Sequence, residues 1–155
     1  MKIRIDAAGR ARALPEATLA NSYLERFDRA GRTAGLGPAS IVEFDVGRKG
    51  GFPEDRLRRV IESPHSLLCC LDERGNRLSS PEFATRLAGW REQGISEAVF
   101  LIGGADGIPE RIRGASDFSL SFGPMVFPHM LARVMLAEQL YRAASILCGT
   151  PYHRN

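Results

Sequence analysis

Three short stretches of this 155-residue chain combine residue types that could bind or transform a ligand. Leu101-Ile102-Gly103-Gly104-Ala105-Asp106-Gly107 ends an apolar run in a glycine turn, and Leu120-Ser121-Phe122-Gly123-Pro124-Met125-Val126-Phe127-Pro128-His129 leads into a helix. The C-terminal Pro151-Tyr152-His153-Arg154-Asn155 sets a phenol, an imidazole and a guanidinium in succession, the groups that stack on a base and hold a phosphate. The glycine turn is G-G-x-x-G and lacks the G-x-G-x-x-G spacing of a dinucleotide site; no acidic residue follows it about twenty positions later, where a ribose partner would stand. Its glycines suit either a tight turn at positive φ or a close approach of backbone to a ligand. No G-x-x-x-x-G-K-[ST], H-E-x-x-H or G-x-S-x-G occurs, which removes the commonest NTPase, zinc-peptidase and hydrolase readings. His129 follows a proline at a helix start, where the positive dipole end favours a neutral imidazole that orients a loop. His65 precedes a strand and reads as a surface residue.

The elements that must position these stretches alternate along the chain. Residues 2–8 alternate charged and aliphatic positions and predict a short half-buried strand closed by Gly9. Leu19, Tyr23, Leu24 and Phe27 recur at helical spacing over residues 15–30, ahead of Gly31. Residues 40–46 form a second strand, and 47–51, with Arg48 and Lys49, a basic loop that is solvated or touches RNA. Phe52-Pro53-Glu54-Asp55 opens a short helix turning Leu57, Val60 and Ile61 inward. The run Leu67-Leu68-Cys69-Cys70-Leu71 within residues 66–71 reads as a central strand buried on both faces, with Asp72 at its carboxyl end. Ser79-Ser80-Pro81-Glu82 is a capping signal ahead of the stripe Phe83, Leu87 and Trp90. Strands over 98–102 and 118–122 flank a short helix at 109–113.

Such alternation specifies a parallel α/β sheet with helices on both faces. Ligands in these sheets bind beyond the carboxyl ends of the strands. Those ends are Leu71-Asp72, Gly103-Gly104 and the loop from Phe122 to Phe127, three segments distant in sequence that the architecture can gather. The last helix, 130–148, is apolar around most of its circumference and must be buried on more than one side. One side can pack on the sheet; the other calls for a second partner, most simply another copy in a two-fold dimer, with Val134 and Leu136 turned outward. Glu138 and Arg142 stand four apart and can pair, and Gly149 is a plausible C-cap.

Composition sets the outer limits. The length and a 44% hydrophobic content suit one globular domain, residues 1–155. No apolar run approaches the roughly 18 residues of a membrane span, and the first residues do not form a signal-peptide core, so the cytoplasm is the expected location. Three cysteines, two adjacent at Cys69 and Cys70, suggest core thiols and neither a disulfide framework nor a metal site. The net charge of +3 is carried almost wholly by arginine, Lys2 and Lys49 being the only lysines. Arginine suits phosphate and stacked bases, so a nucleic-acid partner is permitted without being established.

Taken jointly, Leu-Ile-Gly-Gly-Ala-Asp-Gly at 101–107, Phe-Pro-His at 127–129, Arg133 to Ala143, the strand ending Leu71-Asp72-Glu73-Arg74-Gly75 and Pro-Tyr-His-Arg at 151–154 resemble the bacterial 23S ribosomal RNA (pseudouridine-N3)-methyltransferases of the SPOUT class. The resemblance implies a SPOUT-type parallel sheet with a deep trefoil knot over roughly residues 97–150, and a homodimer. It implies S-adenosyl-L-methionine held by Leu71, Gly103, Phe122, Gly123, Pro124, Met125, Val126 and Phe127. It further implies methylation of 23S rRNA on the assembled ribosome, with His153, Tyr152 and Arg142 at the chemistry, Arg154 and His129 on the RNA, and no metal or membrane. Gly123-Pro124 departs from the polar or basic residue common in the family at that point, and proline removes a backbone donor. That departure keeps a second reading open, a SPOUT-like RNA-binding module without catalysis.

Overall fold

The computed structural model describes residues 1–11, 14–46 and 51–153. Arg48 and Lys49 of the basic loop, and Arg154 and Asn155 of the tail, lie outside the described residues. The element order is β1 (Lys2–Ala8), α1 (Pro15–Gly31), β2 (Ala39–Phe44), α2 (Glu54–Ile61), β3 (Ser66–Arg77), α3 (Ser80–Glu92), β4 (Glu97–Ile102), α4 (Glu110–Arg113), β5 (Phe118–Ser121) and α5 (His129–Leu147). The strands form one five-stranded sheet, β2-β1-β4-β3-β5, and every neighbouring pair is parallel.

Parallel pairing needs crossovers, and the helices supply them on both faces, as the alternation predicts. One face carries Ile3, Ile5, Cys69, Phe100 and Leu120 under α1, α3 and α5; the other carries Leu68, Cys70, Val99 and Leu101 under α2 and α4. The steps β1 to β2 and β3 to β4 run one way across the sheet, with α1 and α3 on the first face. The steps β2 to β3 and β4 to β5 run the opposite way, with α2 and α4 on the second. All four crossovers therefore share one hand, as strand twist requires.

Strand β1 differs from its half-buried expectation. It lies inside the sheet between β2 and β4, and Asp6 is fully buried. The charged half of its alternation survives burial because Asp6 accepts hydrogen bonds from Nε of Arg4 and Nε of Arg56, each at 3.0 Å. Strand β3 runs six residues past Leu71: a shift in register between Leu71 and Asn76 lets its far end pair again with Leu120 and Ser121. Ahead of α3, the Ser79 side chain accepts from the Glu82 N–H while the Glu82 carboxylate accepts from the Ser79 N–H, the reciprocal cap read from sequence. Ser79→Ala should lower unfolding stability by about 1 kcal/mol, measured as a shifted urea midpoint with unchanged slope.

Helix α5 packs along α1 and α3, so its own chain covers much of both sides. Leu136, Ala137, Leu140, Ala143 and Ala144 are fully buried. Leu136 thus faces the core and not outward; of the two residues expected on the outer side only Val134 is part-exposed, beside the exposed Leu131. Glu138 and Arg142 pair at 2.5 Å as their spacing predicts.

Candidate functional site

Beyond the carboxyl ends of β4 and β5, and beside the part of β3 from Leu71 on, the chain leaves a cleft of ≈ 700 Å³. Leu71 to Arg74 from β3, Ile102 at the end of β4 with residues 103–108 after it, and Phe122, Gly123, Met125, Val126 and Phe127 after β5 form its walls, and His129 and Ala132 of α5 close one side. Seven of the eight residues expected to hold a cofactor therefore converge; Pro124 does not line the cleft. His129, expected on the RNA, belongs to this wall. The volume is that of a small-molecule site, and its walls are apolar apart from the rim.

The glycine turn works by close approach at its first position. A β-carbon on Gly103 would lie 2.6 Å from the carbonyl carbon of Gly107 and 2.7 Å from its oxygen, inside van der Waals contact with backbone. Only glycine lets the turn fold onto itself there, and the Gly107 N–H then donates to the Gly104 carbonyl at 3.0 Å. Positive φ is needed at the other end, where Gly107 sits at 73°.

The loop after β5 is anchored at its stem. Ser121, 5% exposed, accepts the Gly123 N–H at 3.0 Å and donates to the Glu73 carbonyl at 3.0 Å. From Gly123, at φ 122°, the loop carries Met125 and Val126 into solvent at the cleft mouth, 70% and 82% exposed. At the rim Asp72 accepts from Arg74 Nε and from Arg113 Nη1, both at 2.8 Å, and the carboxylates of Glu73 and Asp106 also line the cleft. Nothing in the local pattern points to Arg113, because its partner is forty-one residues away. The cleft thus offers apolar walls, exposed backbone and a largely acidic rim and, among the described residues, no cluster of cations that would cradle a phosphate. Among the described residues no three histidine, cysteine or carboxylate groups converge as a metal site. Cys69 and Cys70 are buried core thiols, and burial pushes Cys70 up to about 11, far from a reactive thiolate.

The tail residues occupy a different place. The Tyr152 hydroxyl donates to Glu138 at 3.0 Å, its ring lies 4.4 Å from that of Tyr141, and the Arg142 guanidinium stands 4.9 Å over it. Burial, together with Tyr23 and Glu138, pushes the Tyr152 phenol above its ordinary range, so it is a neutral donor and not a base. His153 is half-buried, and its Nδ1 has no hydrogen-bond partner among the described residues. Neither residue, nor Arg142, lines the cleft. Tyr152 reaches Glu138, which lines a second groove together with Leu120, Phe122 and Gly123, residues that also wall the cleft. The Glu138–Tyr152 bond left no trace in the sequence beyond the two polar groups.

A parallel α/β fold whose glycine-turned cleft suits an uncharged nucleoside-sized ligand defines the class, and the comparisons agree with it. The chain belongs to the SPOUT methyltransferase family: the family described as predicted SPOUT methyltransferase matches residues 1–153. Its relatives include the ribosomal RNA large subunit methyltransferase H of Dinoroseobacter shibae, 58% identical over 156 residues and 99% of each chain. The protein of that name from Roseobacter denitrificans is 57% identical over 157 residues, all of both chains. Among solved structures, a probable methylase family protein from Haemophilus influenzae Rd KW20 superposes with a TM-score of 0.50 at 12% identity, over 99% of this chain and 70% of that one, a likeness of fold alone.

Proposed function

We propose that this protein transfers a methyl group from S-adenosyl-L-methionine to N3 of a pseudouridine in 23S rRNA, on the assembled ribosome, as a cytoplasmic homodimer. The observation that carries the reading is end-to-end identity above one half with relatives named ribosomal RNA large subunit methyltransferase H, supported by a cleft built from the segments expected to hold the cofactor. The fit is physical as well: a neutral adenosine needs backbone donors and acceptors in an apolar slot, which the Gly103 turn and the walls Leu71, Ile102, Leu120 and Phe122 provide. The family's knot over residues 97–150 would seat that slot.

The bound cofactor would supply an electrophilic methyl carbon. The protein's share is to align it with the base, to exclude water with the Phe122 to Phe127 loop, and to accept the proton that the imide nitrogen loses as it bonds to carbon. Tyr152 is held protonated, which leaves the imidazole of His153 as the tail's base, a contribution of about 10²–10⁴-fold. Arg154, with the part-exposed Arg142, would hold the RNA backbone.

Two measurements bear on the reading. S-adenosylmethionine at 100 times its dissociation constant should stabilise the native state by about 2.7 kcal/mol, whereas NADH should leave the melting point unmoved; the reverse pattern would refute the cofactor. Ribosomes lacking the modification, incubated with methyl-labelled cofactor, should take up label in 23S rRNA. The non-catalytic alternative draws on Gly123-Pro124, and bound but unlabelled ribosomes would favour it. Unmodified uridine should react poorly.

The homodimer is supported by what α5 leaves uncovered. Leu19 of α1 is 48% exposed and, with Tyr23, Phe83, Val134 and Met135, lines a groove of ≈ 530 Å³ that adjoins the cleft at Leu120, Phe122 and Gly123. Val134→Arg would set an unpaired charge in that face if a second copy covers it. Sedimentation should then change from dimer to folded monomer, and a monomer already present in the unmutated protein at micromolar concentration would refute the assembly.

A further inference from the structure

Arg133 is the largest fully buried side chain of the described residues, 2% exposed on α5, and none of the chemistry above uses it. Its Nη1 donates to Oε1 of Glu43 at 2.7 Å, and its Nη2 donates to the carbonyls of Ala8 at 2.6 Å and Gly9 at 2.5 Å. The same Glu43 oxygen accepts the Ala11 N–H at 2.8 Å. One guanidinium thus ties the last helix to the end of β1, to β2 and to the turn that follows β1. A buried arginine is a poor choice for stability, since an apolar side chain of similar volume often does as well. Its planar fork is a good choice for fixing three acceptors at set distances.

What it fixes lies one helical turn away. His129 stands four residues before Arg133 and so on the same side of α5. Gly9, at φ 82°, has its bare face against that ring: a β-carbon there would lie 3.0 Å from Nε2, 3.6 Å from Cδ2 and 3.8 Å from Cε1 of His129. Gly9 is therefore held through its carbonyl by Arg133 and covered by His129, whose ring is part of the cleft wall. The wall on that side is positioned from the end of β1, a strand with no residue in the cleft.

We propose that Arg133 is a positioning residue for the cofactor cleft, acting through Gly9 to set the His129 ring and the first turn of α5. The proposal rests on the reading of this cleft as the S-adenosylmethionine site. A double-mutant cycle tests it, with calorimetric titration of S-adenosylmethionine into the full chain. Gly9→Ala should weaken binding about tenfold, because the ring must yield by a few tenths of an ångström in a close-packed wall. In a His129→Ala background the same Gly9→Ala change should have no further effect, the displaced ring being absent. Backbone strain at Gly9 would weaken binding equally in both backgrounds, and that result overturns the proposal. Arg133→Lys keeps the charge and loses the fork; it should melt cooperatively and match the Gly9→Ala loss, and wild-type affinity in it overturns the role of Arg133. An unmutated protein that takes up no S-adenosylmethionine refutes the cofactor reading itself, whereas normal uptake without coupling between positions 9 and 129 refutes only the positioning.

Discussion

Gly103→Ala should abolish S-adenosylmethionine binding while leaving a folded protein, and Gly104→Ala, one position on, should keep both fold and binding. The difference is steric. A methyl group at 103 meets the main chain of Gly107 at 2.6 Å and Ile108 Cγ1 at 3.0 Å, so the turn must open, whereas one at 104 meets only the side chains of Ala8 and Val46, both at 3.7 Å. Opening the turn should cost about 1–3 kcal/mol, within the roughly 5–15 kcal/mol that keeps a small protein folded. The same movement shifts two walls of the cleft, Gly103 to Ile108 on one side and, through them, the space facing Leu71. A loss of at least about 100-fold in affinity is expected, equivalent to about 2.7 kcal/mol. Titration calorimetry beside a melting curve separates the two effects. Equal losses at 103 and 104, or none at 103, would show that the turn does not shape the ligand's space.

How much of this was legible in the sequence depends on the range of the interaction. Features set within a few residues were readable: the Ser79–Glu82 cap, the Glu138–Arg142 pair and the apolar β3 core follow from spacing alone. The sheet's carboxyl-end cleft was readable too, because alternation of strands and helices dictates which strand ends share an edge. Features that depend on strand order were not. The periodicity of β1 looks half-buried because its charges alternate with aliphatics; only its place between β2 and β4 brings Arg56 of α2 onto Asp6. Leu136 could not be told from Val134, since on a helix apolar nearly all round the pattern carries no inside. Arg133 in that pattern looks like a solvated break in the stripe, and its three acceptors come from segments about 90 to 125 residues away.

Removing residues 152–155 should leave cofactor affinity intact and abolish methyl transfer, and the loss should be repaired by a second copy of the chain. Tyr152 is packed, not loose: its ring lies tilted against that of Tyr141 and its hydroxyl bonds Glu138, so truncation should cost about 1–2 kcal/mol, more than a dangling terminus would. None of that contact touches the cleft, which is why affinity should survive. Transfer is another matter. The expected arrangement has the tail supply His153 and Arg154 to the cleft of a second copy, because neither Tyr152 nor His153 lines its own. A mixed dimer decides this. One copy carries Gly103→Ala with its tail, and the other keeps Gly103 but lacks residues 152–155; each alone should be inactive. Co-expressed with distinct tags and purified as the hetero-pair, they should regain about half the wild-type rate, one of two sites being complete in a two-fold assembly. A tail that serves its own cleft leaves the pair at background, because the copy that binds cofactor is then the copy without a tail. Full activity of the truncated protein by itself would place the base for the imide proton elsewhere in the chain.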